Sequence, residues 1–170
     1  ALRERGRSPL PFIALNVSAR QLEEPGLVER MLAQLDAHDL PRDRLEVEIT
    51  ESLVFKHSLI KHLIDECHAA GMEVALDDFG TGYSNLGPLL GLNFDRIKLD
   101  QSFTRSMDQP RGKAIVQAIV AMTRALGSEM IAEGVETQDQ LDTLRELDCE
   151  YAQGWLVGRP VSLQSVLDTD

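Results

Sequence analysis

Residues 74–86 read VALDDFGTGYSNL. Val74, Ala75 and Leu76 have the character of the end of a buried strand. Two acids, Asp77 and Asp78, follow at once and lead into a loop that carries Gly80 and Gly82. Turn formation alone needs one Asp at most, so the second charge needs another reason. The same pattern recurs on both sides. Strand-length apolar runs lie at 12–16 (FIALN), 45–50 (LEVEIT), 72–77 (MEVALD), 94–100 (FDRIKLD), 129–133 (EMIAE) and 150–154 (EYAQG). Between most of them the period changes to that of a helix. One segment places Leu27, Met31, Leu32 and Leu35 on a single face, the next Leu59, Leu63 and Cys67, ending at Gly71, and a third Ile115, Ile119 and Met122, stopping at Gly127. A fourth begins at Thr137 with Gln140 three residues on, the spacing of a capping box.

Strands alternating with helices predict an α/β fold with parallel strands and helical crossovers. Units of roughly 27 residues match the repeat of a TIM-like (β/α) barrel, in which eight units take about 250 residues. About six are present, and an unclosed barrel leaves costly edges. The expectation is therefore a barrel incomplete at its N-terminal side, with its first part outside the sequence, and one domain spanning residues 1–170.

Composition narrows the function. The chain has 170 residues, 43% hydrophobic and 26% charged, as an ordinary folded domain does. Its 17 basic and 28 acidic residues give a net charge of −11, which disfavours DNA and anionic membranes. An anionic substrate fits only where divalent cations invert the local charge. No run approaches the ~20 apolar residues of a membrane span, so no direct membrane insertion is expected. Cys67 and Cys149 are far apart in sequence and read as packed thiols in a reducing, cytoplasmic compartment.

Each strand ends in a residue suited to a cation or a water molecule: Asn16, Glu48, Asp77, Lys98 with Asp100, Glu133 and Gln153. In a barrel these ends meet at one mouth, where the chemistry of this architecture sits. Carboxylates with an Asn carbonyl suit hard Mg²⁺, Mn²⁺ or Ca²⁺ rather than Zn²⁺. His38, His57, His62 and His68 read as surface or packing residues. By alternation Lys98 and Asp100 share a face, with Ile97 and Leu99 turned to the helices. Glu46 and Arg96 point inward below Glu48 and Lys98, and an interior ion pair is expected. DFG also occurs in protein kinases, but no H-R-D loop or G-x-G-x-x-G loop accompanies it here.

NVSARQL, EITES, ALDDFGTGYSNL, DRIKLDQSF, IAEGVET and YAQGWLVGRPV, in this order over about residues 12–161, resemble the signatures of the EAL-domain family of cyclic-di-GMP phosphodiesterases. The resemblance implies a TIM-like barrel that hydrolyses cyclic di-GMP to linear pGpG with Mg²⁺ or Mn²⁺, two per site. It implies Asn16, Glu48, Asp77 and Glu133 as metal ligands and Asp78 as ligand of the second metal. Lys98 would orient or activate the attacking water, with Glu133 also in the catalytic set. Asp100, Glu136 and Gln153 match supporting polar positions around substrate, and Glu51 the residue that steadies the loop at 79–86. A homodimer through that loop is implied, as is a bacterial signalling protein with sensory or GGDEF-type domains, cytoplasmic or the cytoplasmic part of a membrane-anchored receptor. No Glu-Ala-Leu precedes Asn16, which leaves open an impaired module that binds cyclic di-GMP or regulates a partner without hydrolysis. An enolase-type lyase suits the motif order less well.

Overall fold

The computed structural model describes residues 13–82 and 87–162. Phe12 and residues 83–86, parts of the first expected strand and of the Gly-rich loop, lie outside them. Six strands form one parallel sheet in chain order: β1 (Ile13–Asn16), β2 (Leu45–Thr50), β3 (Glu73–Phe79), β4 (Arg96–Leu99), β5 (Glu129–Ala132) and β6 (Tyr151–Ala152). The crossovers carry α1 (Ala19–Leu22) and α2 (Leu27–Ala37), then α3 (His57–Ala70), α4 (Gln101–Ser106), α5 (Pro110–Ala125) and α6 (Gln138–Glu146). The sheet curls into a segment of a TIM-like barrel, and among the described residues β1 and β6 are its edges. No helix among the described residues is long and apolar enough to cross a membrane.

Alternation along the strands separates two environments. Val47, Ile49, Val74, Leu76, Ile97, Leu99 and Met130 are buried and belong to the same apolar cluster as Ile60, Ile64, Val116, Val120 and Leu144 of the helices. The other face carries charge. Glu46, Glu48, Arg96 and Lys98, from β2 and β4, are all buried or nearly so. The strand sequences LEVEIT and RIKL thus send branched aliphatics to the helices and ions to the barrel axis.

The lower interior layer is organised by Arg96. Its guanidinium pairs with Glu46 of β2, Glu73 of β3 and, at 3.5 Å, Glu129 of β5. It also stands 5.7 Å from the ring centre of Tyr151 on β6. One side chain on β4 therefore touches four other strands. Burial raises the pKa of Glu46, and repulsion from Glu48 and Glu73 adds to this, while Arg96 opposes it. The expected Glu46–Arg96 pair is present and is part of this larger layer.

Two helix faces differ from expectation. In α3 the buried residues are Ile60, Leu63, Ile64 and Cys67, while Leu59 is 40% exposed. In α5 they are Gly112, Val116, Val120 and Thr123, while Ile115 is 42% exposed. Both helices carry two adjacent apolar stripes about 100° apart, so spacing alone does not choose between them. In α5 the sheet takes the stripe of Val116 and Val120, whose origin at Gly112 lets the helix approach Ser106. A Cβ at Gly112 would lie 2.0 Å from the Ser106 carbonyl oxygen. The capping box of α6 forms as expected, with Thr137 and Gln140 bonding reciprocally. Cys67 and Cys149 are free and buried, and burial pushes their thiols up to about 12 and about 11.

Replacing Arg96 by Ala leaves the Glu46 carboxylate, whose side chain is 3% exposed, without its cation. A loss of roughly 3–5 kcal/mol is expected in urea unfolding, and a loss below about 1 kcal/mol would show that the layer contributes little.

Candidate active site

The upper interior layer is built around Lys98. Register aligns Asn16 of β1 with Glu48 of β2, and Asn16 Nδ2 donates to Glu48 Oε2 at 3.0 Å. Lys98 Nζ lies 2.9 Å from Glu48 Oε1, 2.8 Å from Asp77 Oδ1 and 3.1 Å from Glu133 Oε1. Side chains from four successive strands and the residue after β5 are thereby linked. Burial alone would depress the Lys98 pKa. The hydrogen bonds and charges of Asp77, Glu48 and Glu133 outweigh it, so the ammonium is held well above its ordinary range. Glu133 is shifted up, first by burial and then by repulsion from Asp77 and Asp78, with Lys98 acting against both.

Asp78 enters this cluster through an irregularity. Strict alternation would turn it away from Asp77, but the pairing of β3 with β4 slips between Leu76 and Phe79. Asp78 adopts a left-handed backbone conformation, φ 56°. This bulge re-aims one side chain. Asp77, Asp78 and Glu133 each offer an oxygen such that all three lie within 4.8 Å of one another. Burial raises the Asp78 carboxyl pKa, as do the charges of Asp77 and Asp100.

This donor set fits a hard divalent cation. Its ligands are oxygens, with no His or Cys among them. Asp77 Oδ1 is buried and its close partner is the Lys98 ammonium at 2.8 Å, a positive charge in the place where a metal ion would sit. None of the four histidines belongs to the cluster. His68 pairs with Asp95 at 2.8 Å, His62 with Glu66 at 3.5 Å, and His57 faces the Leu90 carbonyl at 3.2 Å.

The remaining expected residues lie around the cluster rather than in it. Asp100 follows the end of β4 and caps α4, accepting from the Ser102 N–H at 2.9 Å. Burial raises its pKa, but the bonds from Ser102 and Gln101 and the charge of Arg105 prevail and lower it. Glu136 pairs with Arg105 at 3.2 Å. Gln153 is exposed and lines the same cleft as Lys98 and Glu133. Glu51, in a single 3₁₀ turn after β2, accepts the N–H groups of Gly80 at 2.7 Å and Gly82 at 3.1 Å. The start of the Gly-rich loop thus hangs on one carboxylate. Gly80, at φ 97°, also lies against the Phe103 ring, where a Cβ would come within 2.2 Å. Phe103 was not among the expected residues, since an aromatic in an amphipathic segment carries no signal of its own.

With this geometry in place, comparison with known proteins is decisive. The sequence description of the EAL domain matches residues 1–160. The chain belongs to the EAL domain family. It is 39% identical over 159 residues to the cyclic di-GMP phosphodiesterase RocR of Pseudomonas aeruginosa, covering 92% of this EAL chain and 40% of that protein. Among solved structures, the EAL domain of Mycobacterium smegmatis DcpA aligns with a TM-score of 0.86 at 37% identity, over 91% of this chain and 70% of that one. The MucR phosphodiesterase in complex with cyclic di-GMP aligns with a TM-score of 0.82 at 36% identity, over 91% and 64%. The chain spans only about a fifth, 22% and 19%, of the curated relatives it matches in Azorhizobium caulinodans and Caulobacter vibrioides.

Glu51 predicts a local readout. In a Glu51→Ala variant the amide hydrogens of Gly80 and Gly82 should exchange faster by about tenfold or more, while those of β2 keep their protection. Unchanged exchange at both glycines would remove Glu51 as the anchor of the loop.

Proposed function

We propose that this EAL domain hydrolyses cyclic di-GMP to linear pGpG. The observation that carries the reading is the Lys98 ammonium in contact with Glu48, Asp77 and Glu133, with Asn16 and Asp78 beside them. The identity of 35% and 39% to relatives named as cyclic di-GMP phosphodiesterases supports it.

Asn16, Glu48, Asp77 and Glu133 would hold one Mg²⁺ or Mn²⁺, and Asp78 would help hold a second. When bound, such a pair lowers the pKa of water and neutralises phosphate charge. The chain's own groups do the rest. Lys98 places its ammonium among Glu48, Asp77 and Glu133. It orients the attacking water and faces the charge that builds on the phosphate. Water adds to phosphorus in line, the bond to the 3′ oxygen breaks, and the product carries a 5′ phosphate and a free 3′ hydroxyl. Asp100, Glu136 and Gln153 surround the substrate, and Glu51 keeps the Gly-rich loop in place. Pairing of two copies through the 79–86 loop, and covalent connection to sensory or GGDEF-type domains, complete the proposal. The relative MucR of Pseudomonas aeruginosa is named a bifunctional diguanylate cyclase and cyclic di-GMP phosphodiesterase.

Incubation with cyclic di-GMP and Mn²⁺ should yield pGpG, and EDTA should abolish it. Lys98→Ala should lower turnover by about 10²–10⁴-fold with a much smaller effect on substrate binding. Binding without any pGpG would favour a non-hydrolysing module instead, and normal turnover in Lys98→Ala would remove Lys98 from the mechanism.

A further inference from the structure

The corner between β4 and α4 touches both ends of the acidic cluster. Asp78 belongs to β3 and Glu133 follows β5, with β4 between these strands, yet their carboxylate oxygens come within 4.8 Å of each other. At the end of β4 the Asp100 N–H donates to the Phe79 carbonyl at 3.3 Å, and the Glu133 N–H donates to the Leu99 carbonyl at 3.1 Å. Backbone bonds therefore tie this corner to the residue after Asp78 on one side and to Glu133 itself on the other.

α4 then sets a side chain beside each acid. Phe103 lies against Gly80, two residues after Asp78, as described above. Gly134, directly after Glu133, lies against Gln101, and a Cβ there would come within 2.4 Å of the Gln101 Cβ. Gln101 and Phe103 are two residues apart, so they leave the helix about 200° from each other. A helix of six residues thus fills the space between two loops, with one side against each. It is also held from behind. Thr104 is fully buried, and the Ser106 hydroxyl donates to the Phe103 carbonyl at 2.8 Å. The close approach of Gly112 on α5 to the Ser106 carbonyl leaves α4 no room to retreat.

We infer that α4 is the spacer of the metal centre, with Phe103 the positioning residue that sets Asp78 and Gln101 its counterpart at Glu133. The inference rests on the cations proposed above and deepens that reading by naming what fixes the separation of their ligands. Asp78 owes its direction to a bulge with a left-handed backbone, a conformation that persists only where its surroundings hold it. The Thr81 N–H and hydroxyl bond to the Asp78 carbonyl at 3.2 and 2.9 Å, and the Phe103 ring stops Gly80 from moving toward α4. Ligands of a metal ion must be held to within about half an ångström. An open space beside Gly80 therefore weakens the site without removing any ligand. Loss of a group that orients a ligand costs about 10–100-fold in metal affinity.

Mn²⁺ binding to the intact chain, without nucleotide, separates spacing from folding. Free Mn²⁺ is followed by its electron paramagnetic resonance signal, and thermal midpoints are recorded alongside. Phe103→Ala should weaken at least one bound Mn²⁺ by about tenfold or more. Phe103→Leu, which ends short of Gly80, should lose about fivefold, and it serves where the alanine variant does not fold. Phe103→Met, of similar reach and volume, should stay within about twofold of the native chain. Met107 is buried at the other end of α4. Met107→Ala should lower the midpoint as Phe103→Ala does and leave Mn²⁺ affinity unchanged. Native affinity in Phe103→Ala, or in Phe103→Leu where the former does not fold, would overturn the spacer and leave the proposed cations standing. Equal losses of affinity in Phe103→Ala and Met107→Ala would mean general loosening and overturn it as well. No Mn²⁺ on the native chain would overturn the metal-dependent reading, and the spacer with it.

Discussion

The site depends on a balance of like charges. Asp77 and Glu133 present oxygens less than 4.8 Å apart, and at an effective dielectric of about 20 two full charges at that distance repel by more than about 3 kcal/mol. Lys98 makes the arrangement possible by standing within about 3 Å of Glu48, Asp77 and Glu133 together. Arg96, two residues earlier on the same strand, does the same for Glu46, Glu73 and Glu129 in the layer below. β4 thus supplies both cations, and its neighbours supply the acids. The apolar faces of the same strands, packed on the helices, hold these ions at fixed spacing.

The acids outnumber the cation in the upper layer. One ammonium faces Glu48, Asp77 and Glu133, with Asp78 and Asp100 close by in charge. The surplus oxygens are what a hard cation needs, and it would compete with Lys98 for the same ligands. Glu51 and Phe103 connect this centre to the Gly-rich loop, one through the Gly80 and Gly82 amides and the other through contact with Gly80. A change in the loop is therefore placed to reach the end of β2 and α4 together.

Much of this was legible in the sequence because strand alternation is a strict rule. Ile97 and Leu99 against Arg96 and Lys98, or Val47 and Ile49 against Glu46 and Glu48, can be sorted by parity alone. Helix phase was less legible, since α3 and α5 carry adjacent apolar stripes and the choice between 115/119 and 116/120 is made by the sheet. The bulge at Asp78 breaks parity, and no local composition announces it. Asp100 shows the opposite effect: its shared face with Lys98 assumed a continuing strand, whereas β4 ends at Leu99 and the side chain turns to cap α4. Arg96 as a contact of four other strands was out of reach, because Glu73, Glu129 and Tyr151 meet it only when the sheet curls.

The most direct test of the account is the position of Mn²⁺ in a crystal of this chain, located by its anomalous scattering. The account predicts one peak held by Asn16, Glu48, Asp77 and Glu133 and a second held in part by Asp78, with Lys98 drawn away from at least one of the carboxylates it now contacts. Crystals in saturating Mn²⁺ with no peak at these residues, and with Lys98 still bridging Glu48, Asp77 and Glu133, would contradict it.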